Sequence, residues 1–127
     1  MGIQETEAAA AAVATKAPRV RLADIEAAIK QKWFTSALEA VAGGHALSLD
    51  DADLTQLSVM TLCIVLLDNG FLVIGKSAPA SAGNFNVDLG QQFAYEDAVR
   101  QIWPLMGFSL RQRLHEVASE PPLAERE

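Results

Sequence analysis

The sequence predicts an α+β domain: a central two-stranded antiparallel β-hairpin at about residues 60–77, packed with one N-terminal helix and two C-terminal helices. Three features support this fold class. An Asn-Gly pair lies between two β-rich runs, an apolar stripe of helical spacing begins at Leu22, and a second such stripe begins at Leu89. The chain has 127 residues, which is the usual length of one domain.

The two ends of the chain contain little apolar material to bury. Residues 1–18 include an alanine run, with Ile3 and Val13 as their bulky apolar side chains, and a short isolated helix is marginal in water. The other end is charged and contains two prolines. We therefore expect flexible tails at 1–18 and 119–127, and a single domain at 19–118.

The hairpin is predicted from its turn. The runs 60–67 and 71–77 are rich in β-branched and aliphatic residues, and Asn69 and Gly70 lie between them. Asn-Gly is the preferred pair for a two-residue type I′ turn, because both positions need a positive φ. The sequence therefore predicts two strands joined by this turn.

Counting outward from a two-residue turn sets the predicted register. One face would carry the pairs Leu67 with Leu72, Val65 with Ile74, and Cys63 with Lys76; the other would carry Leu66 with Val73, Ile64 with Gly75, and Leu62 with Ser77. Both faces are mostly apolar, and such a two-stranded ribbon is not stable alone in water. Because the chain's helices can cover one face, we expect a second copy to cover the other, either face to face or by pairing with the exposed strand edge. The residues predicted at this homo-oligomer interface are Leu67, Leu72, Val65, Ile74 and Trp103.

The segment before the hairpin has the pattern of an amphipathic helix. Leu22, Ile25 and Ile29 recur at spacings of three and four residues. Acidic residues near the start and lysines near the end suit the helix dipole. We expect a helix at 22–34 and a weaker helical segment at 35–42.

Two further helices are predicted after the loop at 78–85. Asn86 suits the N-cap of the first. Pro104 has no amide hydrogen and should end that helix near Trp103. The last helix is expected at 108–118.

Composition argues against several classes of protein. The net charge is −6, with ten basic residues scattered among sixteen acidic ones, whereas binding to phosphate backbones needs clustered lysine and arginine. The longest apolar run, 59–67, is about half the ~20 residues of a membrane helix. The N-terminus also lacks the pattern of a signal peptide. We therefore expect a cytoplasmic protein that binds neither nucleic acid nor membrane.

The metal-ligating residue types are dispersed. Cys63 is the single cysteine, which excludes an internal disulfide and a cysteine zinc site and favours a small buried hydrophobe. His45 and His115 lie in different segments, and no third ligand has suitable spacing. The aspartates at 50–53 lack the pattern of an EF-hand and are interpreted as a solvated connector that caps the next segment. No metal, cofactor or catalytic residue is predicted.

Residues 70–77 match the letters of a phosphate-binding loop, with two glycines followed by Lys-Ser. That loop must turn its amides towards a phosphate, and a helix must start at the Lys-Ser pair. Here Phe, Leu, Val and Ile lie between the glycines, which favours a strand. Gly75 is better explained by a bulge or a close backbone approach.

A ligand site remains possible at the end of that strand. Lys76 and Ser77 lead into a loop of small residues that returns at Asn84 to a predicted helix N-terminus. Together with Arg100, these residues could hold an anion or a nucleotide. The alternative is an ordinary solvated lysine beside a loop.

A longer set of residues carries a resemblance. It comprises Leu62-Cys63, Asn69-Gly70-Phe71, Gly75-Lys76-Ser77-Ala78, Asn84-Phe85, Leu89-Gly90, Ala98, Ile102-Trp103-Pro104-Leu105, Gly107 and Leu110, together with Ile25-Glu26-Ala27-Ala28-Ile29 and Phe34-Thr35 near the start. These residues resemble a family of small bacteriophage proteins named after a "gene product 49" and a "gene 66" of two enterobacterial phages. The resemblance covers about 19–114. Arg21 stands where the family usually has a threonine cap, and Pro79 where it often has a second cysteine. The resemblance implies a phage or prophage origin and residence in the host cytoplasm, and it implies no particular activity.

These observations predict a non-enzymatic phage accessory protein. We expect it to bind a host factor in the infected cell, in host takeover or anti-defence. One alternative is a sponge that sequesters a small nucleotide signal, and another is a minor structural protein of the virion. The expected partners are a second copy of the chain and either a host protein or a nucleotide.

Overall fold

The fold is a three-stranded antiparallel sheet with one long helix across it. The computed structural model describes residues 2–13, 17–43 and 50–121. The sheet order is β1-β2-β3. The elements in chain order are α1 (Ile3–Val13), α2 (Leu22–Ala28), β1 (Ile29–Ser36), α3 (Ala37–Ala42), α4 (Asp51–Ser58), β2 (Thr61–Leu67), β3 (Leu72–Ser77), a 3₁₀ turn (Ala82–Asn84) and α5 (Val87–Ser119).

The predicted helix at 22–34 is wrong beyond Ala28, because the chain continues as strand β1. β1 pairs with β2 along its length, with Trp33 opposite Ile64 and Phe34 opposite Cys63. Phe34 packs against the core, while Trp33 lies on the other face and is 49% exposed. This alternation is that of a strand, and pairing with β2 outweighs the helical spacing of the apolar residues. The predicted two-stranded hairpin is therefore part of a three-stranded sheet.

The hairpin is confirmed, but the predicted type I′ turn is wrong. Gly70 has a φ of 90°, and no other residue that the structure describes has a positive φ, so Asn69 does not meet the type I′ requirement. The Leu67 amide donates to the Phe71 carbonyl at 2.9 Å, and the Gly70 amide donates to the Leu67 carbonyl at 2.9 Å. The loop is therefore three residues long, with Gly70 in the left-handed position.

The longer loop shifts the strand register by one residue. Val65 is opposite Val73 and Cys63 is opposite Gly75, so the predicted pairs, such as Val65 with Ile74, are wrong. Because side chains alternate along a strand, the shift changes which residues share a face. The odd-numbered residues of β2 and of β3 up to Gly75 are buried beneath α5, and the even-numbered residues lie on the opposite face.

Helix α5 is continuous through Pro104, so the predicted break near Trp103 is wrong. Pro104 is exposed, whereas Ile102 is buried and Met106 packs against the core. The Trp103 indole N–H also donates to the Val20 carbonyl at 3.3 Å. Packing on both sides of the proline therefore holds the helix together despite the missing amide donor. The predicted N-cap is confirmed, since the Asn86 side chain accepts from the Leu89 amide at 3.0 Å.

Two glycines let α5 lie close to the sheet. A Cβ on Gly75 would come within 2.6 Å of the Ala98 amide nitrogen, and one on Gly90 would come within 2.6 Å of the Thr61 hydroxyl oxygen. The close backbone approach predicted at Gly75 is confirmed. The predicted burial of Cys63 is confirmed as well, at 0% exposure. The core members besides Cys63 are Ile3, Leu22, Ile25, Val65, Leu67, Val73, Ala94, Ala98, Val99 and Ile102.

The segment predicted as an N-terminal tail contains helix α1, and Ile3 joins the core with 7% exposure. The Glu7 carboxylate accepts from the Arg19 guanidinium at 2.7 Å and from the Leu22 amide at 3.0 Å. Residues 14–16 lie outside the described residues, as do residues 122–127 of the predicted C-terminal tail. Within the described ranges, no helix is long and apolar enough to cross a membrane.

Candidate functional site

The predicted ligand residues lie near the end of β3, but they do not converge. A cavity of about 180 Å³ at this end is lined by Ser77 and Asn84. Its other lining residues are Val59, Ala78, Pro79, Phe85, Asn86, Leu89, Gly90 and Phe93. Lys76 and Arg100 are exposed and do not belong to this lining.

The cavity has few groups suited to an anion. Among the residues that the structure describes, no lysine or arginine lines it. The Leu89 amide already donates to the Asn86 side chain, and the Gly90 amide donates to the Asn86 carbonyl at 2.8 Å. Two of the first-turn amides of α5 are therefore engaged within the helix end.

The string at 70–77 does not form a phosphate-binding loop. Leu72–Ser77 is strand β3, and α5 starts only at Val87. The glycines serve the turn and the close helix approach described above. The strand predicted at this position is confirmed.

The five predicted interface residues fall into three environments. Val65 and Leu67 are buried in the chain's own core, and Trp103 is half-buried beside it. Leu72 and Ile74 are 59% and 54% exposed. These two belong to the face of the sheet turned away from α5.

We call that face the open sheet face. It forms three rows across the strands, which are Gln31, Leu66 and Leu72; Trp33, Ile64 and Ile74; and Thr35, Leu62 and Lys76. Six of the nine residues are apolar, and the three polar ones occupy corners. An apolar centre with a polar rim is the usual anatomy of a protein–protein interface.

A second apolar surface lies where the hairpin loop meets α5. We call it the turn groove, a depression of about 360 Å³. Its lining residues are Ala28, Leu67, Asp68, Asn69, Phe71, Leu105, Met106 and Ser109. Phe71 and Leu105 are 53% and 43% exposed, and Phe108, one turn after Leu105, is 73% exposed. Sequence reasoning missed this groove, because it exists only if α5 continues past Pro104.

The titratable groups with shifted pKa values lie apart from both apolar surfaces. The hydrogen bond from Arg19 lowers the pKa of Glu7, and the same bond raises the pKa of Arg19. Burial raises the pKa of the Cys63 thiol and of the Tyr95 hydroxyl. The Tyr95 ring carries the Lys32 ammonium 4.1 Å from its centroid, a cation–π contact.

The acidic connector and the histidines show no metal site in the part of the chain that the structure describes, where no group of three or more His, Cys, Asp or Glu residues could hold an ion. The predicted capping role of the connector is confirmed, because the Asp50 side chain accepts from the Asp53 amide at 2.9 Å. His115 is exposed on α5, and His45 lies outside the described residues.

These features define a small α+β protein with one helix-covered sheet face, one open sheet face and an apolar groove. The sequence matches the Phage protein (N4 Gp49/phage Sf6 gene 66) family over residues 20–114. Because the match covers most of the chain, the protein belongs to this phage family. No curated protein and no solved structure matches the sequence.

Proposed function

We propose that this chain is a non-enzymatic phage accessory protein that acts in the cytoplasm of the infected cell by binding a host protein. The observation that carries the proposal is the turn groove, with Phe71 and Leu105 about half exposed in its lining. The family assignment supports the phage context.

The groove is suited to an apolar side chain of a partner. Phe71, directly after the hairpin loop, lines one side of the groove, and Leu105 of α5 lines the other. Aromatic and aliphatic anchors in pockets of this kind contribute most of the free energy at many interfaces. Asp68 and Asn69 at the edge can supply polar contacts to the partner's backbone.

The test is affinity capture from host lysate, followed by binding measurements with the purified captured protein. We expect Phe71→Ser and Leu105→Ser each to weaken that binding by at least about 30-fold, the equivalent of an interface anchor worth about 2 kcal/mol. Val87→Ser removes an equally exposed apolar side chain at the far end of α5 and should bind as wild type. Equal binding by all three variants would contradict the proposal.

The nucleotide sponge is a weaker candidate. Ser77 and Asn84 line one cavity, which supports a ligand site there, but its described lining residues include no cationic side chain. A tightly bound nucleotide at saturation should stabilise the fold by about 2–4 kcal/mol. Thermal shift against cyclic and ADP-ribose-type nucleotides tests this, and Asn84→Ala should abolish any shift that depends on this cavity.

A structural role in the virion is the remaining alternative, and no contact in the structure favours it. Quantitative detection of the chain at many copies in purified virions would favour that role over host-factor binding.

A further inference from the structure

The open sheet face is uncovered in the part of the chain that the structure describes. Trp33, Leu72 and Ile74 are each about half exposed, at 49%, 59% and 54%. The helix that packs on β2 and β3 is α5, and it lies on the opposite face. Large apolar side chains grouped in this way on a soluble protein usually mark an interaction site.

The edge of β3 is closed to another strand. The Lys76 amide donates to the Asp97 carboxylate at 2.9 Å, and the Ile74 carbonyl accepts from the Gln101 side-chain amide at 2.8 Å. The same Gln101 amide donates to Asp97 at 3.2 Å. Two side chains of α5 therefore occupy hydrogen-bonding groups that an added strand would use.

The other edge of the sheet is also unsuited to strand addition. β1 has an irregular register between Ile29 and Gln31, and Lys30 and Lys32 are exposed there. Bulges and lysines are common means of protecting an edge strand from pairing. Because both edges are protected, a partner that contacts the sheet is expected to bind its open face.

The open sheet face lacks the negative charge that opposes contact between two copies of this chain. The molecule carries a net charge of −6, so two copies repel each other over most of their surface. Among the nine residues of the open sheet face, none is acidic, and Lys76 at one corner is the single charged residue. Two copies that meet there bring no acidic side chains of this face together.

The rows are also compatible with two-fold symmetry. The two-fold axis would lie between the two faces and run parallel to β2. Ile64 would then face its own copy and Trp33 would face the partner's Ile74, while the two copies of Lys76 would lie on opposite sides of the axis. Face-to-face sheets pack about 10 Å apart with their strands within about 30° of each other. The apolar row of Trp33, Ile64 and Ile74 then contacts its own copy.

We propose that two copies associate through their open sheet faces, and that Asp97 and Gln101 restrict this association to a closed pair. Three rows on three strands give the face about 300 Å² in projection. Stable interfaces take about 800 Å² from each partner, and smaller ones are weak or transient. The pair is therefore a weak, reversible dimer.

Sedimentation equilibrium on the full chain, from about 1 µM to about 500 µM, detects weak association. The apparent mass should rise from 13.6 kDa towards twice that value. Ile74→Glu should weaken the dimer at least tenfold, while Val87→Glu, which changes an equally exposed residue away from the face, should leave it unchanged. Leu72→Glu replaces Ile74→Glu if circular dichroism shows that the latter does not fold.

The double variant Asp97→Ala/Gln101→Ala tests the restriction to a pair. With the β3 edge open, it should form species larger than a dimer. A wild-type chain that stays monomeric throughout, or a dimer insensitive to both Ile74→Glu and Leu72→Glu, would overturn the face-to-face contact. A double variant of wild-type mass would overturn the role of Asp97 and Gln101. Neither result bears on host-protein binding at the turn groove, which Ile74→Glu should retain.

Discussion

Gly75 of β3 lies directly beneath Ala98 of α5, so closely that a Cβ on the glycine would come within 2.6 Å of the Ala98 amide nitrogen and 2.9 Å of the Ala98 Cβ. Both neighbours belong to the backbone or to a short side chain, so they cannot rotate away. This contact holds the long helix against the sheet and thereby positions the turn groove.

We expect Gly75→Ala to lower the free energy of unfolding by about 3 kcal/mol, the upper part of the range for overpacked cores. The cause is that α5 must move away from β3 and lose contacts of Ala94 and Ala98. Urea denaturation measures the effect. An unchanged denaturation midpoint would contradict the close packing.

Gly107→Ala should have the opposite effect. Gly107 lies inside α5, and a Cβ there would have no neighbour within 4 Å. Alanine stabilises a helix interior by about 0.5–1 kcal/mol relative to glycine. Thermal unfolding should therefore show a melting temperature about 3 °C higher. A lower melting temperature would mean that α5 is not helical at this position.

Acid should weaken the attachment of α1. The hydrogen bond from Arg19 lowers the pKa of Glu7 below its ordinary value of 4.5. The contribution of this carboxylate is therefore complete above pH 4.5 and is lost as the pH falls through the lowered pKa. The Leu22 amide, which donates to Glu7, should show this titration in NMR spectra. Glu7→Gln should remove it, and an identical titration in that variant would refute the assignment.

Cys63 should be almost unreactive in the folded protein. The side chain has no exposed surface, and burial raises the pKa of its thiol, which reduces the fraction present as reactive thiolate. Labelling by a disulfide reagent should be at least about a hundredfold slower than in urea, because it requires opening of the core. Equal rates in both conditions would show that β2 is not in the core.

The hairpin could be predicted from sequence, but its register could not. Asn69 and Gly70 occur in two-residue turns and also in three-residue loops, where only Gly70 needs a positive φ. The choice between them depends on which faces of the strands the helix covers. The packing of α5 on Cys63 and Val73 selects the three-residue loop. This packing joins residues far apart in the sequence, so the local sequence of the turn does not reveal it.

The errors in the predicted helix boundaries have a similar cause. Leu22, Ile25 and Ile29 fit a helix, but pairing with β2 converts the segment from Ile29 onward into a strand. Pro104 predicts a break, but core contacts on both sides maintain α5. In both places tertiary contacts override a local preference of a few kcal/mol.

The candidate sites show the same difference between features set by local sequence and features set by tertiary contacts. Leu72 and Ile74, predicted at an interface from their hairpin positions, lie on the open sheet face. The turn groove could not be foreseen, because Phe71 and Leu105 are neighbours only in the folded chain.

The alternation of side chains along β3 constrains how this protein can change over generations. The three-residue loop can lose a residue, because a two-residue loop would still leave Leu67 opposite Phe71. A deletion inside β3, by contrast, would exchange the inner and outer side chains in the part of the strand beyond it. Changes of length are therefore tolerable in the loop, whereas within β3 they would require simultaneous redesign of the rest of the strand.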